Sequence, residues 1–434
     1  MTPQSNVLVI ATLKREREAD LRQLLKSMNL GPGNVNPANA LLPFQQFTQI
    51  HFARFVILQD ETAGDLQEAY GGEPQIFPLY LAFLADFDGS ADAFRADLVT
   101  RAKSGLEQIF SCCQGFSTGC DIAQWMKSHD HAPATIYVNW LGRTVTEIRE
   151  ENALRFALED HLQKNGTDYS RKSLRDAHAA LREFARTQIS SGALSLTPPA
   201  RTPMIWWIRN VAHLVYVPLV LLLAMPFLVL YLPIFLVQLR SREKSDVVIA
   251  PRPESCHERR LASLEDQDVT NQFTAMGSVK PGLFRRWTLA FFLWLLDWAA
   301  RHIYIRGQLA RVPTIHFARW VFIDNKKRLL FASNYDGSLE TYMDDFINKV
   351  GWGLNLVFGN GVGYPSTRWL VLDGAKNEQH FKYFLRRHQL PTQVWYKAYA
   401  GLTAFDLKRN TLIRQGVERA HLSDAELRQW AALL

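Results

Sequence analysis

The sequence predicts an α+β protein: two tandem β-α-β-β-α-β units packed sheet to sheet, with a helical membrane-attachment region inserted between them. Three observations carry this. His51-Phe52-Ala53-Arg54 returns as His316-Phe317-Ala318-Arg319, 265 residues on (316 − 51), and Phe87-Asp88-Gly89-Ser90 returns as Tyr335-Asp336-Gly337-Ser338, 248 residues on (336 − 88). A period this long marks duplicated domains and not a solenoid. Finally, residues 211–239 run without a charged side chain.

Residues 6–12 alternate and are rich in Val and Ile, which predicts a strand. Residues 14–28 then place Leu21, Leu24, Leu25 and Met28 at helical spacing. Gly31, Pro32, Gly33 and Pro37 break that helix. The first HFAR strand follows over 49–59 and a third strand over 78–87. Asp88-Gly89-Ser90 turns the chain into a helix with Asp88 or Ser90 as N-cap and Leu98, Ala102, Leu106 and Phe110 as its buried stripe. A strand over 134–141 closes the unit, an order expected of a ferredoxin-like sandwich with its helices on one face. In the second copy the offset of 248 also pairs Gly353 with Gly105 and Phe358 with Phe110, and an offset of 258 pairs Asn410 with Asn152. Its first strand is expected at 271–279 and its first helix at 283–304, where WTLAFFLWLLDWAARHIY has replaced a soluble helix by a greasy one.

The insert opens with two charge-laced amphipathic helices over 152–164 and 170–187. The uncharged run after them is long enough to span a bilayer at about 1.5 Å per residue; otherwise it is a buried soluble helix, which needs a large apolar socket. Pro218, Pro226 and Pro233 punctuate it, and a break near Pro226 predicts a monotopic hairpin that dips in and returns. Arg201 and Arg209 precede the run and Arg240, Arg242 and Lys244 follow it, a flanking that suits a hairpin better than one crossing. Arg259, Arg260, Arg285 and Arg286 are expected to add to a patch facing anionic headgroups, with Trp287, Trp294 and Trp298 at the interface.

The 434 residues, 47% hydrophobic, suffice for two or three ordinary cores, and a formal net charge of +7 favours an acidic partner. Placement of the charge beside the apolar run favours anionic lipid over nucleic acid. Cys112, Cys113, Cys120 and Cys256 have neither disulfide-framework nor zinc-site spacing, so no metal site is expected, and a reduced compartment fits. The apolar run 6–12 precedes the first charges, which is not signal-peptide order.

Strand alternation is expected to put His316 with Ala318 on one face and Phe317 with Arg319 on the other, and likewise His51 in the first copy. Each histidine reads either as a ligand or acid/base group between the sheets or as a core side chain bonded to backbone. Asp88 and Asp336 read as helix caps or as rim carboxylates. Positions where the copies diverge carry more weight: Asn334 matches Asp86, Tyr335 matches Phe87, and Asn360 matches Cys112. Arg319 and Lys280 suit an anionic ligand or a solvated face. His380 and His388, eight apart on a helix expected at 376–389, share a side only roughly.

The duplicated arrangement resembles the dimeric α+β barrel superfamily, in which two ferredoxin-like units pair around a cavity; dye-decolourising peroxidases, chlorite dismutases and small monooxygenases belong to it. The opening over 8–25, LVIATLKREREADLRQLL, and Ser278-Val279-Lys280-Pro281-Gly282 are similar to starts of such domains. The strings around His316 and Asp336 also resemble uncharacterised bacterial membrane-associated proteins. In the peroxidases a GxxDG motif supplies a distal Asp; here Ser333-Asn334-Tyr335-Asp336-Gly337 lacks the first glycine. The resemblance implies a membrane-associated oxidoreductase drawing a lipophilic substrate into the inter-repeat cavity, with haem or no cofactor. Asp336 would be the acid/base group, with Arg319, Tyr335 and Asn334 beside it, and His316, His380 or His388 would face the iron. A lipid-binding or scaffold protein, or a cofactor-free monooxygenase or isomerase, would use the same cavity. The expected divisions are a first repeat at 1–150, a helical connector at 151–200, the membrane segment at 201–245, a polar linker at 246–268, a second repeat at 269–418 with a surface helix at 285–304, and a terminal helix at 419–434. The expected setting is the cytoplasmic face of the inner membrane, with an oligomer left open.

Overall fold

The computed structural model describes residues 1–434 apart from Gln308. The N-terminal half supplies strand β1 (Gln4–Thr12), helix α1 (Glu18–Ser27), strands β2 (Ile50–Leu58) and β3 (Tyr80–Asp88), helix α2 (Ala91–Phe110), strand β4 (Thr135–Val138) and helices α3 (Val145–Lys164) and α4 (Leu174–Ser190). One long helix, α5 (Met204–Ser245), leads to the second half: β5 (Thr270–Ser278), α6 (Leu283–His302), β6 (Ile315–Ile323), β7 (Arg328–Asp336), α7 (Leu339–Phe358), α8 (Glu378–His388), β8 (Thr392–Lys397), α9 (Ala404–Glu418) and α10 (Asp424–Ala431). The fold is mixed α+β with antiparallel sheets, as expected.

The fourth strands correct the sequence expectation. The sheets run β1-β3-β2-β8 and β4-β6-β7-β5, so each combines three strands of one half with the last strand of the other. Tyr137 of β4 lies opposite Ala318, and Tyr396 of β8 opposite Ala53, which makes the offset between these strands 259 (396 − 137) and not 258. Before crossing, each fourth strand runs along its own first strand: the His131 amide donates to the Leu8 carbonyl at 2.8 Å, and the Leu390 amide to that of Thr274 at 2.7 Å. Single bridges, Val9 with Asp130 and Ala275 with Gln389, thereby join the two sheets at their edges around one shared interior, a barrel.

Period-2 alternation then sorts the side chains. Outward residues of the first sheet (Val7, Val9, Phe55, Phe83) pack under α1 and α2, and those of the second (Phe273, Ala275, Trp320, Phe331) under α6, α7 and α8. Inward residues fill the barrel: Leu8, Ile10, Val56, Leu84, Met276, Val321 and Leu330 form an apolar layer at one end. Phe52, Phe317, Trp395 and Tyr399 form an aromatic layer at the other end, beneath Ile148 of α3 and Leu407 of α9.

The apolar run is a single 42-residue helix through Pro218, Pro226 and Pro233; it does not turn back at Pro226. Those prolines are all exposed, while Val217, Leu221, Ala224, Phe235 and Leu239 make a half-buried to buried stripe against the body. Between Ala224 and Phe235 ten residues in a row are exposed, and the helix continues through them although each proline removes one donor. The Phe235 ring lies tilted against that of Phe284, 5.3 Å between centroids, and the Trp298 indole donates to the Leu214 carbonyl at 3.1 Å, so α5 and α6 run antiparallel, side by side.

Both ends of α5 are tied down. Ahead of it, the Thr197 amide donates to Glu150 of α3 at 2.6 Å, and Arg414 of α9 donates to the Thr197 carbonyl at 2.7 Å. At its far end buried Glu243 accepts from the Thr367 hydroxyl and from the Trp369 and Leu370 amides, all within 2.9 Å. Just beyond, Asp246 accepts from Lys280 at 2.7 Å and Arg285 at 2.5 Å. Arg285 is therefore an internal ion-pair residue, 1% exposed, and not part of a headgroup-facing patch.

Candidate functional site

Strand alternation fails at the two histidines for a local reason. The register of β2 against β3 slips between Ile50 and Phe52, and that of β6 against β7 between Ile315 and Phe317. A bulge puts two successive side chains on one side. His51 and Phe52 both enter the barrel, as do His316 and Phe317, instead of separating onto opposite faces. Phe52 lies 5.4 Å from the His316 ring and His51 5.4 Å from Phe317, so the pairs interleave across the barrel axis.

Each histidine meets an aspartate. His51 Nε2 is 3.0 Å from Asp88, and His316 Nε2 is 2.7 Å from Asp336. The aspartates do not cap the helix that follows them, as expected from Asp-Gly-Ser; Ser90 and Ser338 do, accepting from the amides of Ala93 and Thr341. Asp88 instead accepts from the Val145 amide at the start of α3 (2.9 Å), and Asp336 from the Ala404 amide at the start of α9 (2.6 Å). Helices that follow the exchanged strands are thus docked by carboxylates at their positive ends. Burial works to raise the Asp336 carboxyl, but His316, with the Ala404 amide and Thr270, outweighs it and holds the group below the ordinary carboxylate value. Tyr399, pushed up by burial, lies between the pairs with its hydroxyl 3.3 Å from His51 Nδ1.

The next layer is polar. Arg319 is 3% exposed, not solvated; it donates to the Val7 carbonyl at 3.0 Å and pairs with Asp86 of the other sheet. Arg54, its counterpart, reaches the Phe273 carbonyl and the Thr274 hydroxyl, each at 2.9 Å, and Asn334. Burial pulls Arg54 below its ordinary value, with Asp86 opposing. Two guanidiniums thus lie near one carboxylate, Arg319 paired with it and Arg54 feeling it only through space, because Asn334 stands where Asp86 stands in the other half. The cavity among these residues is about 10 Å³, room for one water and no more.

Other expected site residues do not join them. Tyr335 points to the outer side of its sheet, its ring stacked on Tyr342 at 3.9 Å, and burial pushes its hydroxyl far up. Lys280 is drawn down to about 8 by burial while it holds Asp246. His388 is buried, donates to the Phe384 carbonyl at 2.7 Å, and its ring packs on Gly277, where a Cβ would fall 2.5 Å away. His380 is exposed beside Asn377. Gly277 lies seven residues along β5 from Thr270, whose strand partner is Asp336; that separates His388 from His316 by roughly 23 Å at 3.3 Å per residue. These residues do not fit a haem: the histidines do not converge, His316 is engaged by Asp336, and the cavity beside His388 is about 40 Å³.

Sequence reasoning missed the groups that complete the barrel end. Glu151 of α3 is buried, accepts from the Thr411 hydroxyl at 2.7 Å, and is pushed by burial up to about 7, against the pull of Thr411, Arg143 and Arg414. Its only sequence signal was that it falls on the inward face of α3 with Ile148 and Leu154. No protein-family model, curated protein or solved structure matches this chain. What the fold and site define is a class: an α+β protein of two antiparallel sheets with a packed interior, carrying on its flank the one helix among the described residues that is long and apolar enough to cross a membrane.

Proposed function

We propose that the protein is a monotopic membrane-surface protein that binds lipid, built from two ferredoxin-like units that have exchanged their fourth strands. The carrying observation is the placement of α5. Its most apolar 18-residue window has mean hydropathy 2.7 and none of it is buried, yet both ends of the helix are bonded to one body. At 1.5 Å per residue the helix is about 63 Å long and lies along the barrel's flank. Leu222, Leu223, Phe227 and Leu230, 62 to 76% exposed, then point into the acyl region of one leaflet, while Val217, Leu221 and Ala224 before the fully exposed stretch 225–234 and Phe235 and Leu239 after it stay on the protein. Leu283 and Trp287 on α6, and Trp369 beside Arg240, extend that apolar surface. The net charge of +7 favours anionic lipid.

The oxidoreductase reading has less support: the candidate groups His316, Asp336, Arg319 and Asn334 are bonded to other parts of the protein, and the cavity beside Arg319 and Asn334 is about 10 Å³. A variant carrying Leu222→Gln, Leu223→Gln, Phe227→Gln and Leu230→Gln keeps the inner stripe and should leave the membrane fraction as a folded soluble protein. Retention of that variant in carbonate-washed membranes would overturn the proposal.

A further inference from the structure

The two halves differ at one matched glycine. Gly105 of α2 and Gly353 of α7 are 248 residues apart, the offset that also relates Asp88 to Asp336. At Gly105 the chain's own backbone lies on the helix: a Cβ there would fall 1.8 Å from the Leu41 carbonyl oxygen, and Leu41, Leu42 and Phe44 are buried around it. At Gly353, among the described residues, only Val350 of its own helix comes within 4 Å of the corresponding point. The second half instead has an apolar cavity of about 260 Å³ there, walled by Phe292, Leu295 and Ala299 of α6 and by Phe346, Val350 and Gly353 of α7. None of its described lining residues carries a charge. Trp352, half exposed, stands at its rim.

Resting on the membrane-surface reading, we propose that this cavity takes one acyl chain of a membrane phospholipid. An apolar occupant fits best, because apart from Tyr304 and Trp320 the described lining is apolar and a polar group brought there would lose most of its water. It has to come from the bilayer, because the cavity borders the side of α6 that carries the membrane helix: Trp298 bonds to the Leu214 carbonyl of α5, and the adjacent Ala299 lines the cavity. In the first half Leu41 and its neighbours fill the matching place, and the first helix there, α1, is short and exposes Asp20, Gln23 and Lys26. The chain supplies its own filling where no lipid is at hand and leaves the site to lipid where α6 has become greasy.

The test uses the full chain in phosphatidylethanolamine and phosphatidylglycerol vesicles doped with a phospholipid bearing a photoreactive diazirine in its acyl chain, with adducts located by mass spectrometry. Adducts are expected on α6 and α7 as well as on α5. Gly353→Leu fills the cavity while improving helix propensity, and Ala299→Phe fills it from the opposite wall. Each should lower the α7 adducts at least tenfold and leave flotation and the α5 adducts unchanged. Adducts on α5 alone, or α7 adducts that both variants leave at the wild-type level, would overturn the acyl-chain site and leave membrane attachment standing. Protein that neither floats nor forms adducts would overturn both.

Discussion

Asp86 and Asn334 occupy matched places on β3 and β7 and touch across the barrel, the amide of one 3.4 Å from the carboxylate of the other. Only one of them carries charge, so Asp86 alone balances Arg54 and Arg319. Asp86→Asn would leave two buried guanidiniums without a carboxylate and is expected to cost about 3–5 kcal/mol. Asn334→Asp gives each guanidinium its own partner and should not lower the denaturation midpoint. Equal losses from the two substitutions in urea titrations would show that the charge balance is unimportant.

Asp336 and Ser338 act on different helices. Asp336→Asn weakens the hold on His316 and on the α9 amide together and should cost roughly 3 kcal/mol, against about 1 kcal/mol for Ser338→Ala, a simple cap. Since the Asp336 carboxyl is held low in the folded protein, its contribution is present above the ordinary carboxylate value and disappears as pH falls through the folded one. Acid titrations of wild type and Asp336→Asn should therefore converge at low pH.

Glu151 has the opposite sign. Its carboxyl rises from 4.5 to about 7 on burial, so the folded protein binds the proton more tightly than the unfolded chain. The contribution is full below about 4.5 and is lost as pH climbs to 7. Glu151→Gln keeps the Thr411 contact without the charge, so it should stabilise the protein at pH 8 by on the order of 3 kcal/mol and flatten the stability profile between pH 5 and 7. An unchanged profile in the variant would assign the slope to another group.

Because the histidines are separated and engaged, the purified protein should lack a Soret band with or without added haemin. His316→Ala should lower thermal stability, while His380→Ala, at an exposed position, should leave it unchanged. A Soret band that shifts on either substitution would restore the haem reading.

Much of the architecture was legible in the sequence because hydrophobic periodicity and the doubled strings report local structure. The strand at residues 134–141 was visible as a strand, but its partner was not: Tyr137 pairs with Ala318 of the other half through a contact that no local pattern encodes. His51 and His316 were legible as special positions, yet their direction depends on bulges that alternation rules cannot anticipate. Asp336 and Arg319 were legible as site candidates, at a rim or on a solvated face, while their burial and their work as docking and ion-pair groups depend on α9 and on Asp86, which are remote in sequence. The prolines of α5 suggested a break, yet the helix runs through all three, tied to the body by residues on either side of the exposed stretch 225–234.

The central claim is that α5 lies along the protein with both ends on one side of the membrane. Arg201→Cys and Ser245→Cys, each in a background with Cys120→Ser and Cys256→Ser, report the two ends to an impermeant maleimide in sealed membrane vesicles of known orientation. The account predicts that both are labelled from the same side and both protected from the other. Labelling of Arg201→Cys from one side and Ser245→Cys from the opposite side would contradict it.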